Sequence, residues 1–142
     1  MVNIFFSCCL LGCNENMTNS SGFIFSPHFP GYYPPLTLCR WTIKVAPGKN
    51  IKLRFLEFQL EDHPSCYSDY IEVYDGYETK TKKLLGRYCG LRFPDFLESS
   101  TNFMLIKFVS NDKVTRSGFK MHYTSEEGKG LLSSSALYKT FP

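Results

Sequence analysis

The segment Glu61-Asp62-His63-Pro64-Ser65-Cys66-Tyr67-Ser68-Asp69 places an imidazole, a thiol and carboxylates within one short stretch. Nitrogen, sulfur and oxygen donors at such spacing could bind zinc. The chain has no H-x₃₋₅-H pair and no C-x-x-C pair, and a Cys66 engaged in a disulfide is lost as a ligand, so zinc is not indicated. Taken alone, Glu61 and Asp69 are two acidic residues that would more often cap loops or pair with Lys and Arg. Lys80, Lys82 and Lys83, with Arg87, form a small basic cluster. It could meet a sulfated glycan electrostatically, although a solvated hairpin loop is the commoner meaning of such a run. No G-x-S-x-G, H-E-x-x-H or P-loop occurs. A Ser-His-Asp triad is defined by geometry and not by spacing, but His28, His63 and His122 are scattered. No residue is nominated as catalytic, and the chain is read as a non-enzyme.

These residues sit in 142 positions, one domain by length. Hydrophobic residues at 43% and charged residues at 20% exclude a wholly disordered chain. Aromatic residues at 16% favour strands. A net charge of +3 is too small to argue for nucleic acid. Six cysteines, an even number, fit an oxidising compartment. Asn16-Met17-Thr18 and Asn19-Ser20-Ser21 are adjacent N-glycosylation sequons, coherent with a secreted or extracellular protein. Residues 1–12 are apolar, too short to span a bilayer, and read as a signal-like or truncated N-terminal segment that takes Cys8 and Cys9 with it. No transmembrane span is expected.

From Gly22 to Tyr123 apolar residues recur at period two. Trp41, Ile43 and Val45 alternate with Arg40, Thr42 and Lys44; Ile51, Leu53 and Phe55 alternate with Lys52 and Arg54. Leu56 and Phe58 then take the other parity, which predicts a β-bulge near Phe55-Leu56. Further one-sided sets follow at Ile71 and Val73, at Met104, Ile106 and Phe108, and at Phe119, Met121 and Tyr123. Pro47-Gly48, Asp75-Gly76 and Ser117-Gly118 punctuate the runs. Short strands with regular turns predict an all-β antiparallel sandwich. Residues 125–142 read as a flexible linker or tail.

The ordered set of motifs resembles the CUB domain, the extracellular module of complement proteases, tolloid-type proteases, spermadhesins and mosaic proteins. The resemblance is carried by Gly22 and Ile24, Ser26-Pro27-His28-Phe29-Pro30, Tyr33-Pro34, Cys39-Arg40-Trp41-Thr42-Ile43, Phe55 and Phe58, Leu60-Glu61 and Cys66. It continues through Asp69-Tyr70-Ile71-Glu72-Val73-Tyr74-Asp75-Gly76, Gly86-Arg87-Tyr88-Cys89-Gly90, Pro94, Asn102 with Met104, Phe108 with Ser110, Gly118-Phe119 and Tyr123. It covers Cys13 to Tyr123 in order, within a domain taken as 13–124.

The resemblance implies a two-sheet jelly roll with disulfides Cys13–Cys39 and Cys66–Cys89, each worth roughly 3 kcal/mol. This use of Cys13 displaces the lipoprotein-like reading of Leu10-Leu11-Gly12-Cys13. It also implies a Ca²⁺ site built from Glu61, Asp69 eight residues later, and the residue after Phe108-Val109-Ser110. That position usually holds Asp; here it is Asn111, with Asp112 following. An amide oxygen can coordinate calcium, but one negative charge is lost and weaker binding is expected. In such domains the acidic ligands accept a basic side chain, Lys or Arg, from an extracellular or matrix protein. Tyr33 lies beside them, its alternative being packing at the rim. Calcium-independent adhesion, or glycan binding through Lys80, Lys82 and Lys83, is the second reading. If consecutive strands run as a meander, Tyr33, Glu61, Cys66, Asp69 and Cys89 share one end of the sandwich.

Overall fold

The computed structural model describes residues 11–76 and 83–128; Cys8, Cys9, Lys80 and Lys82 lie outside them. Among the described residues the chain forms nine strands and no helix. They are β1 (Leu11–Met17), β2 (Ser21–Phe25), β3 (Thr37–Lys44), β4 (Lys49–Gln59), β5 (Tyr70–Asp75), β6 (Lys83–Tyr88), β7 (Phe96–Glu98), β8 (Phe103–Val109) and β9 (Gly118–Glu127). One sheet has the order β1-β3-β8-β5-β6, the other β2-β9-β4-β7. No described helix is long and apolar enough to cross a membrane.

The alternation decides which side chains meet between the sheets. In β3, Cys39, Trp41 and Ile43 are buried while Leu38, Arg40 and Lys44 are exposed. In β9, Phe119, Met121 and Tyr123 are fully buried. Trp41 meets Phe119 edge-on at 5.8 Å, and Phe108 meets Phe119 at 5.1 Å, so aromatic rings tie the two layers. The predicted bulge is present: β4 shifts register against β9 between Phe55 and Glu57, and both Phe55 and Phe58 face the core.

One expectation needs correction. Consecutive strands do not form a meander: β3 pairs with β8 and β4 with β9, so the turn at Pro47-Gly48 crosses between sheets. Side-chain alternation encodes which face is buried and says nothing of which strand is the neighbour. The strands still reverse direction at each turn, so the deduced common end stands. The two-sheet all-β sandwich is as expected, and its strand pairs are antiparallel except that β1 pairs parallel with β3. Cys13 is the direct partner of Cys39 in that pairing, and the two are bridged with Cα atoms 4.5 Å apart. Cys66 and Cys89 form the second bridge at 5.4 Å. Finally, β9 continues to Glu127, past the 124 boundary, because Lys49 of β4 pairs with Glu127 at 2.8 Å.

Candidate functional site

Three loops converge at one end of the sandwich: the one before β3, the one between β4 and β5, and the one between β8 and β9. They bring together Tyr33, Glu61, Asp69 and Asn111, which are 78 positions apart at their extremes (111 − 33). The Tyr33 hydroxyl donates to Asp69 Oδ2 at 2.6 Å and accepts the Glu61 backbone N–H at 3.1 Å. The Asn111 N–H donates to Asp69 Oδ1 at 2.8 Å. The pairing expected from sequence between Glu61, Asp69 and position 111 is therefore a spatial one.

The scaffold beneath follows from the F-x-S segment. Ser110 is buried; its hydroxyl donates to the Pro34 carbonyl at 2.9 Å and accepts the Thr37 N–H at 3.0 Å. The Leu36 N–H donates to the Asn111 carbonyl at 2.9 Å, and the Tyr33 N–H to the Arg116 carbonyl at 3.0 Å. Together these bonds fix the Tyr33 loop against the ends of β8 and β9. Ser110 was legible in the motif; Arg116 was not, because no local pattern marks it.

Asp69 is fully buried. Desolvation raises its pKa above the ordinary carboxylate range, against the lowering effect of the Tyr33 and Asn111 hydrogen bonds; the Glu61 charge raises it further and Arg116 lowers it. Burial, then the bond to Asp69, pushes the Tyr33 phenol strongly upward, so it stays protonated and donates. Tyr33 is 1% exposed, with its ring edge-on to Phe108 at 5.1 Å. Tyr33 is therefore packed at the rim with its hydroxyl on Asp69, and its chain neighbour Tyr32 is 63% exposed.

Glu61 is half-buried, and its Oε1 is sealed from solvent without a hydrogen-bond partner among the described residues. Leaving a buried charged acceptor unpaired costs more than the ~1–3 kcal/mol of a neutral one. Such an orphan calls for an ion or a water in its place. Two carboxylates, one of them orphaned, fit a hard cation that prefers oxygen; the side-chain oxygen of Asn111, whose N–H bonds Asp69, accepts the Lys113 N–H at 3.1 Å. Asp112 is exposed on the same turn as Asn111. Among the described residues no group of three His, Cys, Asp or Glu could hold a metal, so a cation here depends on Asn111 or backbone oxygens as well. His63 is not poised as a ligand: its Nδ1 accepts the Ser65 and Tyr67 N–H groups at 3.0 and 3.3 Å.

The other nominated groups lie apart. Lys83 is exposed at the start of β6, while Arg87 pairs with Glu72 at 2.8 Å and stacks over Tyr70 at 4.0 Å. Asn16 and Asn19 are both exposed. An open cleft of about 720 Å³ lies at the opposite end, lined by Asp75 and Glu98, but both Asp75 oxygens already accept the Ser100 N–H.

The chain is 42% identical to human Tolloid-like protein 1 over 123 residues, which cover 87% of this chain and 12% of that protein. Its fold matches the CUB1-EGF-CUB2 region of human MASP-1/3 with a TM-score of 0.74 and 31% identity, over 83% of this chain and 44% of that one. It matches the MASP-1 CUB2 domain bound to Ca²⁺ with a TM-score of 0.70 and 30% identity, over 78% of this chain and 96% of that one. The chain thus spans about an eighth of the curated relative's length. The family model for the CUB domain matches residues 13–123, the stretch that contains both disulfides and the acidic rim, and the chain belongs to the CUB domain family.

Proposed function

We propose that this chain is a non-catalytic extracellular recognition module whose rim binds Ca²⁺ through Glu61 and Asp69, with Asn111 and Asp112 beside them. The observation that carries this reading is the orphaned, buried Glu61 Oε1 next to the buried Asp69. Support comes from the related MASP-1 CUB2 domain, whose structure is a Ca²⁺ complex. Bound calcium would neutralise the two carboxylates and fasten the loops that carry them. Glu61 is the acidic ligand with accessible surface, so a lysine or arginine of an extracellular or matrix protein would meet Glu61. Asp69 and Tyr33 hold it from behind. Exposed Tyr32 would supply apolar contact.

The reading is tested with a lysine-rich peptide passed over the immobilised chain. Retention in Ca²⁺ that is released by chelator supports it; retention indifferent to chelator contradicts it. Asn111→Asp restores the missing charge without disturbing the turn, since Asn111 Oδ1 already accepts the Lys113 N–H at 3.1 Å and a carboxylate can do the same. The expected result is calcium binding tighter by about tenfold, ~1.4 kcal/mol. Unchanged affinity on titration would mean that position 111 is not part of the site. The exposed sequons lead to a further expectation for a secreted chain. N-glycosidase treatment lowers its mass and converts Asn16 or Asn19 to Asp, whereas an unchanged mass excludes modification at both.

A further inference from the structure

The outward-facing charges of the two sheets differ sharply. On the four-stranded sheet the outward positions hold Lys52, Arg54 and Lys120 against Glu57, Glu98 and Glu126, which balance. On the five-stranded sheet they hold Arg40, Lys44, Lys107 and Arg87 against Glu72 alone, a net +3 that equals the whole chain's formal excess. Arg40, Lys107, Glu72 and Arg87 are successive partners across β3, β8, β5 and β6. With strands about 4.8 Å apart this row spans roughly 15 Å, and Lys44 lies about 13 Å along β3 from Arg40. Glu72 is buried and held by Arg87 at 2.8 Å. Among the described residues no carboxylate lies within 4.0 Å of the Arg40, Lys44 or Lys107 side-chain nitrogens.

We infer that this outer face is a binding surface for a linear sulfated polysaccharide. The charge is complementary to a polyanion, and the row is spread along a line instead of focused in a pocket. A cleft of about 350 Å³ on the same face combines the Thr42, Thr18 and Asn16 polar groups with the half-buried Phe103 ring, over which Lys44 stands at 5.5 Å. Hydroxyls and an amide beside a ring suit a sugar unit. Leu105 at the centre of the face is buried, and its exposed large apolar residues, Leu38 at the start of β3 and Leu84 on the edge strand β6, are single and lie on different strands, whereas exposed aromatic rings stand on the other sheet as Phe23, Phe25 and Phe96. The surface is separate from the acidic rim and needs no calcium.

The test uses the full chain carrying Asn16→Gln, so that an N-glycan cannot cover the cleft, on immobilised heparin in the presence of chelator. Retention at physiological ionic strength is expected, with none on unsulfated hyaluronan. The triple substitution Arg40→Gln, Lys44→Gln, Lys107→Gln should abolish it and lower the slope of log Kd against log salt by about 3, near one per cation removed. Lys52→Gln, Arg54→Gln, Lys120→Gln removes the same charge from the other sheet and should leave retention unchanged. Equal loss in both triples, or equal retention on polyglutamate, overturns the assignment. Heparin should also protect Lys44 and Lys107 from an amine-reactive label in the unsubstituted face; labelling unaffected by heparin overturns it without any variant.

Discussion

Asp69→Ala is expected to abolish calcium binding and to lower the melting temperature in Ca²⁺ by about 10 °C. Two losses add. The Tyr33 hydroxyl and the Asn111 N–H each lose their acceptor, together about 2 kcal/mol after the buried carboxylate's own cost is relieved. The calcium contribution disappears as well: a ligand at 10–100 times its Kd stabilises by ~1.4–2.7 kcal/mol. At a few degrees per kcal/mol the sum gives the stated fall. The calcium effect should also depend on pH with a definite sign. The folded pKa of Asp69 lies above its unfolded value because burial disfavours the charge. In chelator, this group's stabilising contribution is full below the unfolded carboxylate pKa and is lost as pH rises through the folded one. Calcium competes with that proton. The calcium-induced rise in melting temperature should therefore be largest at neutral pH and shrink as pH falls through the raised pKa of Asp69; a pH-independent rise would contradict the assignment of Asp69 as a ligand.

Gly118→Ala should be damaging independently of calcium. Gly118 opens β9 at φ +85°, a left-handed conformation that costs other residues ~1–3 kcal/mol. A Cβ there would overlap Ser26 Oγ. That hydroxyl is buried and accepts the Phe119 N–H at 2.9 Å, and the Ser26 N–H donates to the Phe119 carbonyl at 3.1 Å, so the clash also pries β2 from β9. Roughly 3 kcal/mol and a fall of about 9 °C are expected in thermal melts, with or without chelator. Ser26→Gly in the same chain should relieve the clash but leave the Phe119 N–H without its acceptor, so recovery should be partial. A Gly118→Ala chain that melts with the wild type would contradict this contact.

Much of this architecture was readable from residue types. Period-two runs marked β3, β4, β5, β8 and β9, and the parity switch at Leu56 marked the bulge, because burial on one face imposes alternation directly. The short β7 and the edge strand β1 carry weaker patterns; β1 is held by Cys13 and a parallel pairing that alternation cannot announce. The neighbour relations of β3 with β8 and β4 with β9 depend on contacts distant in sequence. At the rim, Glu61, Asp69 and Asn111 followed from the family resemblance, and the structure brings all three to one point. The depth of Tyr33 did not follow, since a Tyr in a Pro-rich loop reads equally as surface or core until Phe108 and Asp69 are seen to enclose it. The cationic row Arg40, Lys107, Arg87 was invisible for the same reason as the sheet order: its members meet only across strands.

Glu61→Gln separates a metal ligand from a structural carboxylate most directly. If the orphaned Oε1 exists to meet calcium, removing the charge costs nothing in chelator and removes the binding. Calorimetric titration of the full chain with CaCl₂ should give saturable heat for the wild type and none for Glu61→Gln, whose melting temperature in chelator should equal or exceed that of the wild type. Equal heats from the two chains, or none from either, would contradict the account.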